Sequence, residues 1–191
     1  VRHGDSLTRE FKAIYKLNQG NKFSTIEKIE DAEDIKAEIV IMNPPYSLAW
    51  EHKANYLSQD RFRQFNKLAP KSKADYAFLL TGLYQLPDNG KMAIILPHGV
   101  LFRSGAEGTI RQKLIELNYI EAIIGLPAKV FYNTYIPTVI ITLKKNKANK
   151  EILFIDASEE FKNVPPKNVL EEKHIDKILE TYLVPVLPIY M

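Results

Sequence analysis

Four stretches of the chain are dense in aliphatic residues and short enough to be strands. Ile39-Val40-Ile41-Met42 comes first, then 91–97, 119–126 and 136–144, the last rich in β-branched residues. Two stretches between them have helical spacing. In 73–86, Ala77, Leu80, Leu83 and Tyr84 fall on one row, and Ala74, Phe78 and Thr81 on its neighbour. Pro87-Asp88-Asn89-Gly90 then supplies the turn chemistry that stops the helix. In 107–118, Ile110, Leu114, Ile115 and Leu117 are expected inward, with Arg111, Gln112, Lys113 and Glu116 largely outward. Lys144 to Lys150 reads as a basic turn, and Glu151 to Asp156 as an added strand. The order strand, helix, strand, helix, strand, loop, strand predicts an α/β fold. Its sheet is doubly wound and mostly parallel, with an antiparallel last pair.

The flanks are less patterned. Residues 8–37 are polar, and Glu30, Asp31, Glu33 and Asp34 read as a solvated face. Past 156, Pro165-Pro166 reads as a linker, 169–182 as a helix and Leu183 to Met191 as an apolar tail without periodicity. Residues 47–72 have no clean period either, and a loop this long is usually functional or mobile. Between Leu48 and Lys73 it carries Lys53, Arg61, Arg63, Lys67, Lys71 and Lys73 against Glu51 and Asp60, a net of +4. Trp50, Tyr56, Phe62 and Phe65 are interleaved with them. Two readings stand side by side. One is phosphate contact with base stacking, which makes Lys53, Arg61, Arg63 and Lys67 DNA-backbone candidates. The other is a solvated loop held by a small apolar anchor.

Composition sets bounds. With 191 residues, 46% hydrophobic and 26% charged, the chain can bury one sizeable core and is not disordered. No apolar run approaches membrane length, and no secretory signal opens the chain, so no membrane partner is expected. The absence of cysteine excludes a disulfide framework and a Cys-based metal site, and it is compatible with a reduced, cytoplasmic setting. The net charge of +3 permits a nucleic-acid partner without requiring one.

The most informative chemistry lies just past the first strand. Asn43-Pro44-Pro45-Tyr46 sits where ligands bind in open α/β sheets, beyond a strand's C-terminal end. Two prolines fix φ and remove two backbone donors, and each pushes the residue before it out of the helical region. The loop is therefore stiff and offers carbonyls that nothing local satisfies. The Asn43 side-chain oxygen adds a second acceptor. Two converging acceptors suit a group with two N–H donors, such as an exocyclic amine on an aromatic ring. Tyr46 offers a flat face for that ring. A plain Pro-Pro turn with a capping asparagine is the alternative reading of the tetrapeptide alone.

The tetrapeptide resembles the target-base motif of amino-group methyltransferases. The chain around it resembles one family over roughly residues 1 to 156. The matching pieces are Lys73-Ala74-Asp75-Tyr76-Ala77-Phe78, the turn and strand from Asn89 to Pro97, Ile123 to Pro127, and the run from Val130 to Lys144. This set is similar to the modification subunit of type I restriction-modification systems, an adenine-N6 DNA methyltransferase. The resemblance implies the second half of a Rossmann-like fold dependent on S-adenosylmethionine. It implies Asn43, Pro44 and Tyr46 at the target amine and Phe131 stacking on the substrate base. It also implies that Asp5 binds the adenine amine of S-adenosylmethionine and that Pro45 packs near the same ring. DNA and the specificity and restriction subunits are the implied partners. No metal is implied.

Two features qualify this reading. Gly4-Asp5-Ser6-Leu7 also spells a serine-hydrolase nucleophile motif, but the late Asp-x-x-His it needs is missing, since His174 precedes Asp176. The family's glycine-rich cofactor loop has no counterpart, because Gly99, Gly105 and Gly108 lack the opening strand and spacing. Residues 1–156 are thus expected to be a partial catalytic domain, with 157–191 a linker, helix and tail. An exposed sheet edge, open to self-association, is expected as well. A methyltransferase of protein glutamine or an RNA base, and a non-catalytic docking piece, are the rival functions. For the 191-residue chain alone, isothermal titration with S-adenosylmethionine should show weak or no binding. A micromolar dissociation constant would contradict the partial-domain reading.

Overall fold

The computed structural model describes residues 7, 15–18, 22–25, 36–132 and 134–184. In chain order, β1 (Tyr15–Asn18) and β2 (Lys22–Thr25) form an antiparallel hairpin. Then come β3 (Ile39–Met42), the short helix α1 (Asp60–Arg63) and α2 (Asp75–Gln85). Next are β4 (Lys91–Pro97), α3 (Ala106–Glu116), β5 (Ile120–Gly125) and β6 (Thr138–Lys144). The described chain ends with β7 (Leu153–Asp156), β8 (Lys162–Val164), β9 (Lys167–Val169) and α4 (Glu172–Leu183). The hairpin β1–β2 lies in sequence whose pattern predicts nothing regular. The acidic cluster at 30–34 and the tail beyond 184 fall outside the described residues.

Among the described residues five strands make the main sheet, in the order β3-β4-β6-β5-β7. β3 runs parallel to β4, with Ile39 beside Lys91 and Met42 beside Ile94. β7 runs parallel to β5, and β6 is antiparallel to both β4 and β5. Four strands therefore share one direction, and the reversed strand lies inside the sheet. Its buried Val139, Ile141 and Leu143 explain the position, since an inner strand has both edges paired and its apolar row in the core.

α2 is buried along nearly its whole length, from Asp75 to Leu83. It lies between the sheet and the segment holding Trp50, Phe62, Phe65 and Leu68, all in the same core. Gly82 makes the close approach possible. A Cβ there would stand 2.6 Å from the Met42 sulfur and 2.7 Å from Met92 Cε. On α3, Ile110 and Leu114 face inward, whereas Ile115 is 53% exposed and Leu117 only packs against the core. Arg111, expected outward, turns back to donate to the carbonyls of Val100 and Arg103.

Pro165-Pro166 forms the turn of the β8–β9 hairpin and is not a linker. The hairpin is fastened to the chain after β5. The Asn168 amide N–H donates to the Lys129 carbonyl, and its side chain donates to the Ala128 carbonyl. α4 begins with a reciprocal Glu171–His174 cap and buries Ile178 against Ile124, Leu126 and Ile155. β3 stands at the sheet edge among the described residues, with Ile39 71% and Ile41 81% exposed. No described helix is long and apolar enough to cross a membrane.

Tyr182 of α4 donates its hydroxyl to Glu121 on β5. Burial first, and the Glu121 carboxylate second, push the phenol up to about 12 from 10.0. The folded value exceeds the unfolded one, so the stability this group contributes is complete below about pH 10 and is lost as pH climbs towards about 12. Unfolding curves of Tyr182→Phe should lack that share of the alkaline decline. An identical decline in wild type and variant would refute it.

Candidate functional site

β3 is short because its ladder stops at two prolines. Met42 makes the last ladder pair, and the chain then leaves the sheet as Asn43-Pro44-Pro45-Tyr46, next to the C-terminal end of β4. Pro44 is buried, Asn43 and Pro45 are exposed, and Tyr46 is half-buried. The Tyr46 hydroxyl donates to Asn43 Oδ1 at 2.9 Å. Burial raises the Tyr46 phenol above its ordinary value, so it stays a donor at neutral pH.

The opposite wall comes from the long connection between β5 and β6. Phe131 stands edge-on to Tyr46, with ring centroids 6.2 Å apart and planes at 79°. A β-bridge between Phe131 and Thr134 shapes this connection, and the Ile136 amide N–H donates to Thr134 Oγ1. The Tyr46 and Phe131 rings touch, and together with Asn43, Pro44, Pro45 and neighbouring residues they line a cavity of about 550 Å³. That volume suits an aromatic ring system. The structure thus brings these five sequence-predicted residues together around one space. Tyr132, 90% exposed at the rim of the same cavity, is an addition that the sequence pattern did not single out.

Behind the loop stands a charged cluster that the sequence pattern did not reveal. Ser47 has a left-handed φ of 50°. Its amide N–H donates to Asp75 Oδ1 at 2.7 Å, and Asp75 is buried at the start of α2. Asp75 Oδ2 accepts from Arg103 at 2.5 Å, and Arg103 also forks onto both oxygens of Glu107 at 2.6 and 2.8 Å. Hydrogen bonding to Glu107, helped by Asp75, raises the guanidinium further above its already high value. Buried acids in a helix's first turn are the one available signal, because such positions favour carboxylates.

The chain matches the family model described as N-6 DNA Methylase over residues 1–184. It belongs to that family. Among its curated relatives, the type I restriction enzyme MpnII methylase subunit of Mycoplasma pneumoniae is 45% identical over 148 residues, covering 76% of this chain and 27% of the relative. The MjaVII methylase subunit of Methanocaldococcus jannaschii is 38% identical over 159 residues, covering 77% and 27%. A crystal structure of the type I restriction-modification methyltransferase subunit from Streptococcus thermophilus superposes with TM-score 0.75 at 55% identity, covering 77% of this chain and 31% of that one. The chain thus spans under a third of the length of these relatives.

The basic segment divides. Lys53 and Lys67 are exposed, and Arg63 is exposed but paired with Asp60 at 2.8 Å. Arg61 is 1% exposed and cannot present itself to a phosphate. Its guanidinium donates to Gln59, to the Thr81 hydroxyl and to the Leu7 carbonyl, and it lies over Phe62. Trp50, Phe62 and Phe65 are likewise core, so the apolar-anchor reading holds for them. Asp5 lies outside the described residues, and His98 sits in a turn after β4 beside Phe102 rather than in the cavity. Arg61→Ala removes the donors that reach Leu7 and Thr81. It should cost about 2–3 kcal/mol of unfolding free energy in urea, against less than about 0.5 for Lys67→Ala. Equal effects would show that Arg61 is not structural.

Proposed function

We propose that this chain holds the target base in an adenine-N6 DNA methyltransferase, as part of the modification subunit of a type I restriction-modification system. The observation that carries the reading is the pairing of the Asn43 acceptor with the Tyr46 and Phe131 walls around one cavity at a strand's C-terminal end. The relatives' type I methylase names support the system and, with it, DNA and the specificity and restriction subunits as partners, acting in the cytoplasm.

The chemistry comes from the donors and acceptors. Adenine N6 is hidden in the duplex stack, so the base is flipped out to reach this cavity. Asn43 Oδ1 has two lone pairs, of which the Tyr46 hydroxyl uses one. The other takes one N6 hydrogen, and the Pro44 carbonyl takes the second. Accepting both hydrogens keeps the nitrogen lone pair from delocalising into the ring and leaves it nucleophilic. Tyr46 and Phe131 hold the ring by face and edge. When bound, S-adenosylmethionine would supply the methyl from its activated sulfonium and leave as the neutral thioether, the methylated nitrogen giving up one hydrogen as a proton to solvent. Pro45, an exposed apolar ring at the cavity rim, fits the edge of that cofactor, and Asp5 is the proposed acceptor for its amine. The protein's contribution is positioning. Lys53, Arg63 and Lys67 are the proposed phosphate contacts, and the exposed edge of β3 the proposed self-association surface.

In the intact methylase with its partner subunits, Asn43→Ala should lower methyl transfer to adenine-containing duplex by about 100-fold. Unchanged transfer would make the chain a docking piece. Methyl appearing on RNA or on protein glutamine would assign a different substrate.

A further inference from the structure

Three charged side chains meet behind the Asn43–Tyr46 turn, and none of them lines the cavity. The Asp75 side chain is fully buried, Glu107 is nearly so, and Arg103 keeps about a fifth of its surface. Buried charges of this kind add little stability over apolar packing, whereas the geometry of their hydrogen bonds is specific. Each link in the set is directional. Glu107 grips Arg103 through two parallel bonds, which fixes the guanidinium plane. Arg103 then fixes Asp75 through Oδ2, which leaves Oδ1 aimed at the Ser47 amide. Ser47 holds a left-handed φ of 50° that residues other than glycine keep only when restrained. It comes directly after Tyr46, in a turn where Pro44 and Pro45 have no N–H to offer.

We propose that Asp75, with Arg103 and Glu107 behind it, is a positioning residue for methyl transfer. It holds Ser47 in its left-handed turn and so sets the placement of Tyr46 and Asn43 against the base. This rests on the reading of the cavity as the adenine site. The cluster also joins the exit loops of β3 and β4, so two neighbouring strand ends are held at a fixed offset. Gly99 belongs to the device, because a Cβ there would stand 2.6 Å from Arg103 Nη1 and push the guanidinium away.

The test uses the intact methylase with its partner subunits and a duplex carrying adenine or 2-aminopurine at the target. Asp75→Asn should lower kcat by about 100-fold, with KM for both substrates and DNA affinity held within about threefold. Emission from 2-aminopurine should rise, because a loosened Tyr46 quenches it less. Gly99→Ala displaces Arg103 without changing any charge and should lower kcat by about tenfold in the same pattern. A kcat within about threefold of wild type for Asp75→Asn overturns the proposal. So does a loss of DNA affinity that parallels the loss of kcat, the mark of a purely structural role. If Asp75→Asn does not fold, Gly99→Ala decides by the same criteria. Asn43→Ala separates the two levels. Transfer that survives it removes the adenine site itself, whereas transfer lost there but kept in Asp75→Asn removes only the positioning role.

Discussion

Pro44 and Pro45 cannot donate a hydrogen bond, and most of the local architecture answers that single deficit. A strand normally continues by ladder bonds or turns by local ones. β3 can do neither once it reaches the prolines, so its exit is held from outside. α2 provides the hold, starting with a buried carboxylate directed at Ser47. The helix reaches that place because Gly82 lets it sit against Met42 and Met92 on β3 and β4. The segment of 50–69 closes over it with Trp50, Phe62 and Phe65, and Arg61 stitches that cover to α2 and to Leu7. The stiffness of one short turn is thus supplied by a helix, its cover and two strands.

The sheet and its helices were legible because burial imposes period. β4 is predicted and found over the same seven residues, and β3, β5 and β6 match within a residue or two at their ends. The cavity residues were legible because proline, asparagine and aromatic side chains each have a narrow chemical use at a strand end. Residues 47–72 were harder, since an arginine that satisfies buried acceptors reads the same as one that meets a phosphate. Arg61 shows the difference, and only its depth reveals it. Ile115 failed for a related reason. A helix row at the margin of the apolar face is settled by what lies opposite it, not by its own spacing. Pro165-Pro166 reads as a linker in one dimension and as a hairpin turn once Lys162–Val164 and Lys167–Val169 find each other.

The charged cluster was invisible for a different reason. Asp75 comes from one place in the chain and the i,i+4 pair Arg103 and Glu107 from another, and each alone is an ordinary polar residue at a helix start or turn. Their meaning comes from convergence, which a sequence states only through the fold. The Asn168 contacts to Ala128 and Lys129 are of the same kind. They tie the hairpin that comes after the main sheet to the connection carrying Phe131, so chain beyond Asp156 helps to shape the aromatic wall.

The reversed strand has a consequence for how the molecule assembles. β5 and β6 follow one another in the chain with only residues 126–137 between them, so bringing them together costs less entropy than pairing strands further apart. β4 and β6 meet over a much longer stretch of chain, so their pairing is the slower event. The loop bearing Phe131 rests on the local β5–β6 pairing, whereas Tyr46 is brought beside it only through the β3–β4 and β4–β6 pairings. The two walls of the cavity thus depend on different strand pairings, and the pocket is complete only when β3–β4 and β4–β6 have both formed.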